Sequence, residues 1–284
     1  MPQPELSAPV KILAVLAHPD DEAFGMGGTL AHYAKQGAEV SLICATLGEA
    51  GVVDPRLLQD GQTVASLREQ ELRCSAEALG LKEVVLLGYR DSGMQGSPDN
   101  NHPQALAAQK LEEVTDKIAG HMRVLQPDIV LTFDPFGGYG HPDHIRIHEA
   151  ATRAFHLLRG ELPSQSVRPF SRLYYHVMPP GFLRAAIFMT CLQGKDPRKA
   201  GANGDIDLVA IAARRFPTHV RVNYADSAAA QARAFACHAS QGGGERVKGI
   251  AALLERLFMP RIDRFSQAYP PPKPGRGQQR GLLG

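Results

Sequence analysis

The chain has no C-x-x-C pair: its four cysteines, Cys44, Cys74, Cys191 and Cys237, are scattered along the sequence. That spacing excludes a structural zinc knot and argues against a disulfide scaffold, so reduced thiols in the cytosol are expected. No run reaches the roughly 18 apolar residues a spanning helix requires. The polar, Pro-rich segment of residues 1–9 has neither the basic nor the apolar region of a secretory leader. One sign of charge does not dominate either, since 31 basic and 29 acidic residues leave a net +2. Neither nucleic acid nor a membrane surface is therefore indicated as the main partner. Internal repeats are missing. Gly25-Met26-Gly27-Gly28 lacks the full G-x-G-x-x-G spacing, and the acidic residues ahead of it would repel a pyrophosphate. A cytoplasmic protein acting on a small molecule is the expectation, with homo-oligomerisation left open.

What the sequence does contain is regular alternation. Its 284 residues, 44% of them hydrophobic, can form one large domain. Residues 10–17 are an apolar run with one charge, the pattern of a strand buried on both faces. Further strands are predicted at 39–44, 83–87, 129–133 and 172–177. Helices are predicted up to about 36, at about 62–79 and 105–125, and from 144 to about 159, with Gly37 and Gly80 as stop signals. This argues for an α/β fold, a Rossmann-like three-layer sandwich around a mostly parallel sheet. Residues 1–269 are read as a single domain with a flexible start at 1–9 and a less regular part from about 160. That part holds a helix at 183–192, a strand at 218–222 and helices at about 226–238 and 245–258. The Pro/Gly-rich segment 270–284 is expected to be a flexible tail.

In such sheets ligands bind beyond the carboxyl ends of the strands. His18 to Glu22, Glu49, Asp91 and Asp134 to His144 each follow a predicted strand. In Ala17-His18-Pro19-Asp20-Asp21-Glu22, one imidazole and three carboxylates crowd together, which requires a cation or a hydrogen-bond network. His18 and Asp21 are three apart and share a face in a helical turn; both side chains ligate zinc at about 2.0–2.2 Å. A third ligand is expected from Gly137-Gly138-Tyr139-Gly140-His141-Pro142-Asp143-His144, where spacing does not decide between His141 and His144. One carboxylate and two histidines with an open position make a hydrolytic zinc centre. The same set serves non-haem iron oxygenases, a reading the strand–helix alternation disfavours, although iron stays a candidate metal for a hydrolytic site. A sugar-binding module without catalysis is the remaining alternative. Arg68 lies on the otherwise apolar stripe of Ala65, Leu72, Ala76 and Leu79, where a guanidinium needs a partner or a ligand.

The two His-Pro-Asp motifs, with Gly27-Gly28-Thr29-Leu30, Leu47-Gly48-Glu49-Ala50-Gly51, Arg68-Glu69-Gln70-Glu71-Leu72 and Tyr89-Arg90-Asp91-Ser92-Gly93-Met94, resemble the LmbE-like or PIG-L family of zinc-dependent N-acetylglucosamine deacetylases. The resemblance is good over residues 10–160 and is closest in wording to the mycothiol-pathway deacetylase and amidase branch. It implies His18, Asp21 and His144 as zinc ligands and Asp20 as the general base that activates water. It implies that His141 stabilises the tetrahedral intermediate and protonates the leaving amine, that Asp143 orients His141, and that Tyr139 is a mobile oxyanion donor. Arg68, Glu49, Asp91 and His238 are the candidate substrate contacts. The implied reaction removes an acyl group from an N-acetylglucosamine conjugate. The aglycone is left open among inositol, malate, a second sugar, a glycopeptide and a mycothiol S-conjugate.

Overall fold

The computed structural model describes residues 8–163, 168–201, 204–243, 261–273, 275 and 277–283. The apolar run near the N-terminus becomes β1 (Lys11–Leu16), in which Ile12 to Leu16 are at most 2% exposed. Such burial on both faces requires strands at both edges and cover above and below. β2 (Glu39–Cys44) and β4 (Ile129–Phe133) flank β1 in parallel. β3 (Glu83–Leu86) and β5 (Arg172–His176) continue the parallel pairing outward. Beyond β5 the direction changes. β7 (Ile262–Tyr269) runs antiparallel to β5 and to β6 (Val220–Asn223), and β8 (Gln279–Arg280) is parallel to β6. The strand order among the described residues is β3-β2-β1-β4-β5-β7-β6-β8.

Local sequence accounts for the helices of the first half. A short α1 (Asp21–Gly25) and α2 (Gly27–Lys35) follow β1. α3 (Val64–Leu79) starts where the Thr63 hydroxyl accepts from the Ser66 N–H at 3.1 Å, and stops at Gly80, whose φ of 75° suits glycine. α4 (Leu111–Leu125) buries Val114, Ile118 and Met122 completely. It packs against α6 (Pro142–Gly160), which contributes Ile147, Ala150, Ala151 and Ala154. A single turn, α5 (Gly137–Gly140), precedes α6 and is kinked at Gly138. The second half adds α7 (Pro180–Leu192), α8 (Leu208–Ala213) and α9 (Ala228–Cys237). Among the described residues no helix is long and apolar enough to cross a membrane.

Several expectations are corrected. The segment from 270 is not an unpacked tail. β8 joins the sheet, and Leu282 is fully buried, its carbonyl accepting from the Tyr174 hydroxyl and from Arg172, both at 2.9 Å. Backbone pairing holds this segment, which needs few apolar side chains. Cys74 and Cys237 form a disulfide between α3 and the end of α9, against the expectation of reduced thiols. Cys44 and Cys191 are free. The helix expected from 105 begins at Leu111, after short 3-10 turns. The helix expected at 245–258 and residues 1–7 lie outside the described residues.

Candidate metal centre

The strand order reverses between β1 and β4, which opens a crevice beyond their carboxyl ends. β1 delivers His18 to it, and β4 delivers the turn that carries His141 and His144. The Nδ1 of His18 stands 3.1 Å from the Nε2 of His144 across 126 residues of sequence. Asp21 completes the triangle, with one oxygen 3.5 Å from His18 Nδ1 and the other 3.3 Å from His144 Nε2. Tetrahedral ligands at about 2.0–2.1 Å from a zinc ion lie roughly 3.3 Å from one another. The two histidine nitrogens fit that spacing, and the Asp21 carboxylate meets each of them through a different oxygen.

The opposite ring nitrogens are tied down. His18 Nε2 lies 3.3 Å from Asp143 and 3.5 Å from Asp91. His144 Nδ1 lies 3.1 Å from the Gly137 carbonyl, and the Phe133 ring stacks on the imidazole at 3.9 Å. Metal-ligating histidines are commonly oriented through their second nitrogen in this way. His141 is different. It caps α6, and its Nδ1 accepts the Asp143 N–H at 3.2 Å. A neutral His141 therefore carries its proton on Nε2, which makes that nitrogen a donor rather than a ligand. Two sets of ligand atoms, those of His18, His141 and His144 and those of His18, Asp91 and Asp143, lie within 4.8 Å of one another. The described residues can thus hold a metal ion, and ring tautomers distinguish the possible sets.

Burial and mutual charge set the protonation of the cluster. Burial opposes ionisation of Asp21, but His144 and His18 outweigh it and hold the carboxyl far below its usual range. Burial lowers His144 to about 4 despite Asp21. It also disfavours the His18 imidazolium, yet Asp91, Asp143 and Asp21 raise that pKa well above the ordinary histidine value. His141 falls to about 2 through burial and the charges of His18 and His144. Asp20 is pushed up to about 7 by burial, partly countered by Arg68.

Arg68, expected among the substrate contacts, is only 3% exposed. Its guanidinium donates to Asp20 Oδ2 at 2.9 Å, to the Gly48 carbonyl at 3.0 Å and to the Pro19 carbonyl. Gly48 has to be glycine here, because a Cβ would fall 1.8 Å from the Arg68 Nη1. Arg68 is thus occupied in holding Asp20 and two loops. His238 is corrected likewise: it is fully buried, with its Nε2 2.6 Å from Glu22 Oε1. The same oxygen accepts from Ser75, and the other oxygen of Glu22 accepts the Asp20 N–H at 3.0 Å. Glu49 accepts the Asp91 N–H at 3.0 Å, and Asp91 is buried with its carboxylate towards His18 and His141. Asp143 reaches His141 only through its backbone; its carboxylate takes the Ser92 N–H at 2.9 Å and the Ser92 hydroxyl, and faces His18. Tyr139 is half-buried, its ring 4.9 Å from His144 and 5.9 Å from His141, and burial raises its pKa. The roles of Ser92, Glu22 and Ser75 emerge only from packing; Ser92 alone had a local signal, its place beside Asp91 at a strand end.

Residues 13–155 match the model of the PIG-L family, described as GlcNAc-PI de-N-acetylase. The chain belongs to this family. It is 42% identical over 158 residues to a 1D-myo-inositol 2-acetamido-2-deoxy-alpha-D-glucopyranoside deacetylase of Actinosynnema mirum, covering 52% of this chain and 56% of that protein. It therefore spans about half the length of the curated relatives it matches. In fold it is similar to the N,N'-diacetylchitobiose deacetylase of Pyrococcus horikoshii, at a TM-score of 0.55 and 23% identity over 92% of this chain and 84% of that one. It is equally similar to GalB, the 4-carboxy-2-hydroxymuconate hydratase of Pseudomonas putida KT2440, at a TM-score of 0.57 and 18% identity over 94% and 100%. The PIG-L fold thus carries more than one chemistry, and the site has to decide function.

Proposed function

We propose that this PIG-L chain is a metal-dependent N-deacetylase acting on an N-acetylglucosamine-type conjugate, with His18, Asp21 and His144 as the ligands of a zinc or ferrous ion. The observation that carries the reading is His18 Nδ1 and His144 Nε2 at 3.1 Å, with one Asp21 oxygen 3.5 Å from the first and the other 3.3 Å from the second, and the far nitrogen of each ring engaged elsewhere. When bound, such a metal supplies Lewis acidity that brings the pKa of water from 15.7 to about 7.

Asp20 stands beside this set, oriented by Arg68, and is the group that accepts the proton of the attacking water. Once the carboxylate has taken that proton, the same group stands beside the site as an acid that can return it. Asp20 therefore also delivers that proton to the leaving amine nitrogen. His141, whose Nδ1 accepts the Asp143 N–H, contributes the hydrogen bond of its Nε2–H to the oxygen that becomes negative. The Tyr139 hydroxyl, kept protonated by burial, can donate to the same oxygen.

The test is amine release from N-acetylglucosaminides, with metal content measured on the same samples. Asp20→Asn is expected to lower kcat by about 10²–10⁴ with metal retained, and His144→Ala to lose the metal. Undiminished activity in Asp20→Asn would sink the base assignment, and full metal occupancy in His144→Ala the ligand set.

A further inference from the structure

We propose that His238 is a positioning residue for Asp20, acting through Glu22. The inference rests on the reading of Asp20 as the group that takes the proton of the attacking water, and it names what keeps Asp20 in place. Asp20 is held at two ends. Arg68 donates to its carboxylate at 2.9 Å, and its backbone N–H donates to Glu22 Oε2 at 3.0 Å. The second hold acts on the backbone itself, at a φ of 120° that residues with side chains rarely adopt. Misplacing a reacting group by about 1 Å can cost roughly 10²-fold in rate, so what fixes this backbone bears on turnover.

Glu22 can hold that N–H only if its own carboxylate is fixed. Glu22 lies on α1 and is fully buried, so its other oxygen has to find donors within the protein. Two donors meet at this oxygen, Oε1: the Ser75 hydroxyl from α3, and the Nε2 of His238, the residue after α9, at 2.6 Å. Ser75 and His238 are themselves fully buried, and the Cys74–Cys237 disulfide joins the residues immediately before them. The cross-link thereby fixes α3 and α9 where both donors reach one atom. The His238 ring makes no other hydrogen bond among the described residues, and its Nδ1 is buried without a partner. A ring satisfied on one side only is a poor filler of a core, since an apolar side chain would occupy the space and leave no nitrogen unpaired. An apolar side chain cannot donate to Glu22, however. The imidazole makes one directed contact, and that contact leads through Glu22 to the Asp20 N–H. His238 lies outside residues 13–155, the part matched by the family model, so the second half of the chain supports a base carried by the first.

The experiment uses the zinc-loaded full chain with the best substrate among the N-acetylglucosaminides. It compares kcat, KM and zinc content of the parent with those of His238→Leu, His238→Gln, Ser75→Ala and Glu71→Gln. In the metal-free chain, hydrogen exchange of the Asp20 amide, followed by NMR, reads the backbone hold directly. His238→Leu is expected to lower kcat by roughly 10–100-fold with KM and zinc content unchanged, and to speed exchange at Asp20. A glutamine amide places an N–H near the position of Nε2, so His238→Gln should recover most of both. Ser75→Ala removes the other donor to the same oxygen and should move both readouts in the same direction, which decides the matter if His238→Leu does not fold. Glu71→Gln weakens a separate buried tie of α3, to Ser240, without touching Glu22, and should lower the melting temperature alone. An unchanged kcat, or an unchanged Asp20 exchange rate, in folded His238→Leu or, failing that, in Ser75→Ala overturns the inference while leaving the deacetylase reading intact. A loss of kcat that glutamine does not restore and that Glu71→Gln shares also overturns it, because destabilisation alone then explains the loss. If no N-acetylglucosaminide releases amine although zinc is bound, the deacetylase reading itself fails and the inference with it.

Discussion

Asp20 adopts φ 120° and ψ −32°, backbone angles that side-chain-bearing residues rarely take. Such a conformation costs about 1–3 kcal/mol and persists only where the surroundings over-determine it. Here they do. Glu22 accepts the Asp20 N–H, and Arg68 binds both the preceding carbonyl and the carboxylate. His18 on one side and Asp21 on the other must reach the same point, and the turn between them is bent accordingly. The strain can be separated from the loss of the carboxylate by comparing Asp20→Ala with Asp20→Gly. Both remove the side chain's hydrogen bond, but only glycine relaxes the backbone. Asp20→Gly should be the more stable by about 1 kcal/mol, reversing the usual order, and urea unfolding would measure the difference. Alanine equal to or better than glycine would mean that the backbone at this position is not strained.

At the scale of elements, α3 and α9 are bound together by contacts that the sequence does not advertise. The Cys74–Cys237 disulfide closes 163 residues of chain. Beside it, Glu71 accepts the Ser240 N–H at 2.7 Å and the Ser240 hydroxyl at 2.6 Å. Linking such distant positions restricts the unfolded chain, so Cys74→Ala/Cys237→Ala is expected to lose about 2–5 kcal/mol of stability. Its metal stoichiometry should not change, because the candidate ligands are held by β1 and β4; calorimetry with metal analysis checks both. The candidate ligands were legible because each is local, a histidine and a carboxylate directly after an apolar strand. Spacing did not choose between His144 and His141; the family resemblance implied His144, and the α6 cap, which fixes the tautomer of His141, agrees with it. Arg68 and His238 were harder to place for the opposite reason. Both types serve as sugar contacts or as buried struts, and only packing against Asp20 and Glu22 shows which.

Across the whole molecule, the first half follows local rules of alternation and capping, whereas the second half is assembled by returning to the first. β7 was invisible in the sequence because its eight residues do not alternate regularly between buried and exposed. It becomes a strand by pairing with β5 on one side and β6 on the other. β8, with two residues, is too short for any periodicity to register. Among the buried carboxylates that tie these halves together, Asp263 of β7 accepts the Thr29 N–H at 2.8 Å and the Thr29 hydroxyl at 2.6 Å, 234 residues away on α2. Burial raises the pKa of Asp263 to about 6 from 3.8, the Thr29 bonds offsetting part of the rise. The folded state therefore favours the protonated carboxyl. Its contribution to stability is complete below about pH 3.8 and is lost as pH climbs through about 6. Asp263→Asn cannot ionise, so the stability of the variant relative to the parent should rise by about 2 kcal/mol between pH 4 and pH 7. Urea unfolding of both proteins at stepped pH isolates this difference from all other titrations, which cancel. A difference that stays flat with pH would mean that Thr29 holds the carboxylate charged without cost, and that the junction between the two halves is indifferent to protonation.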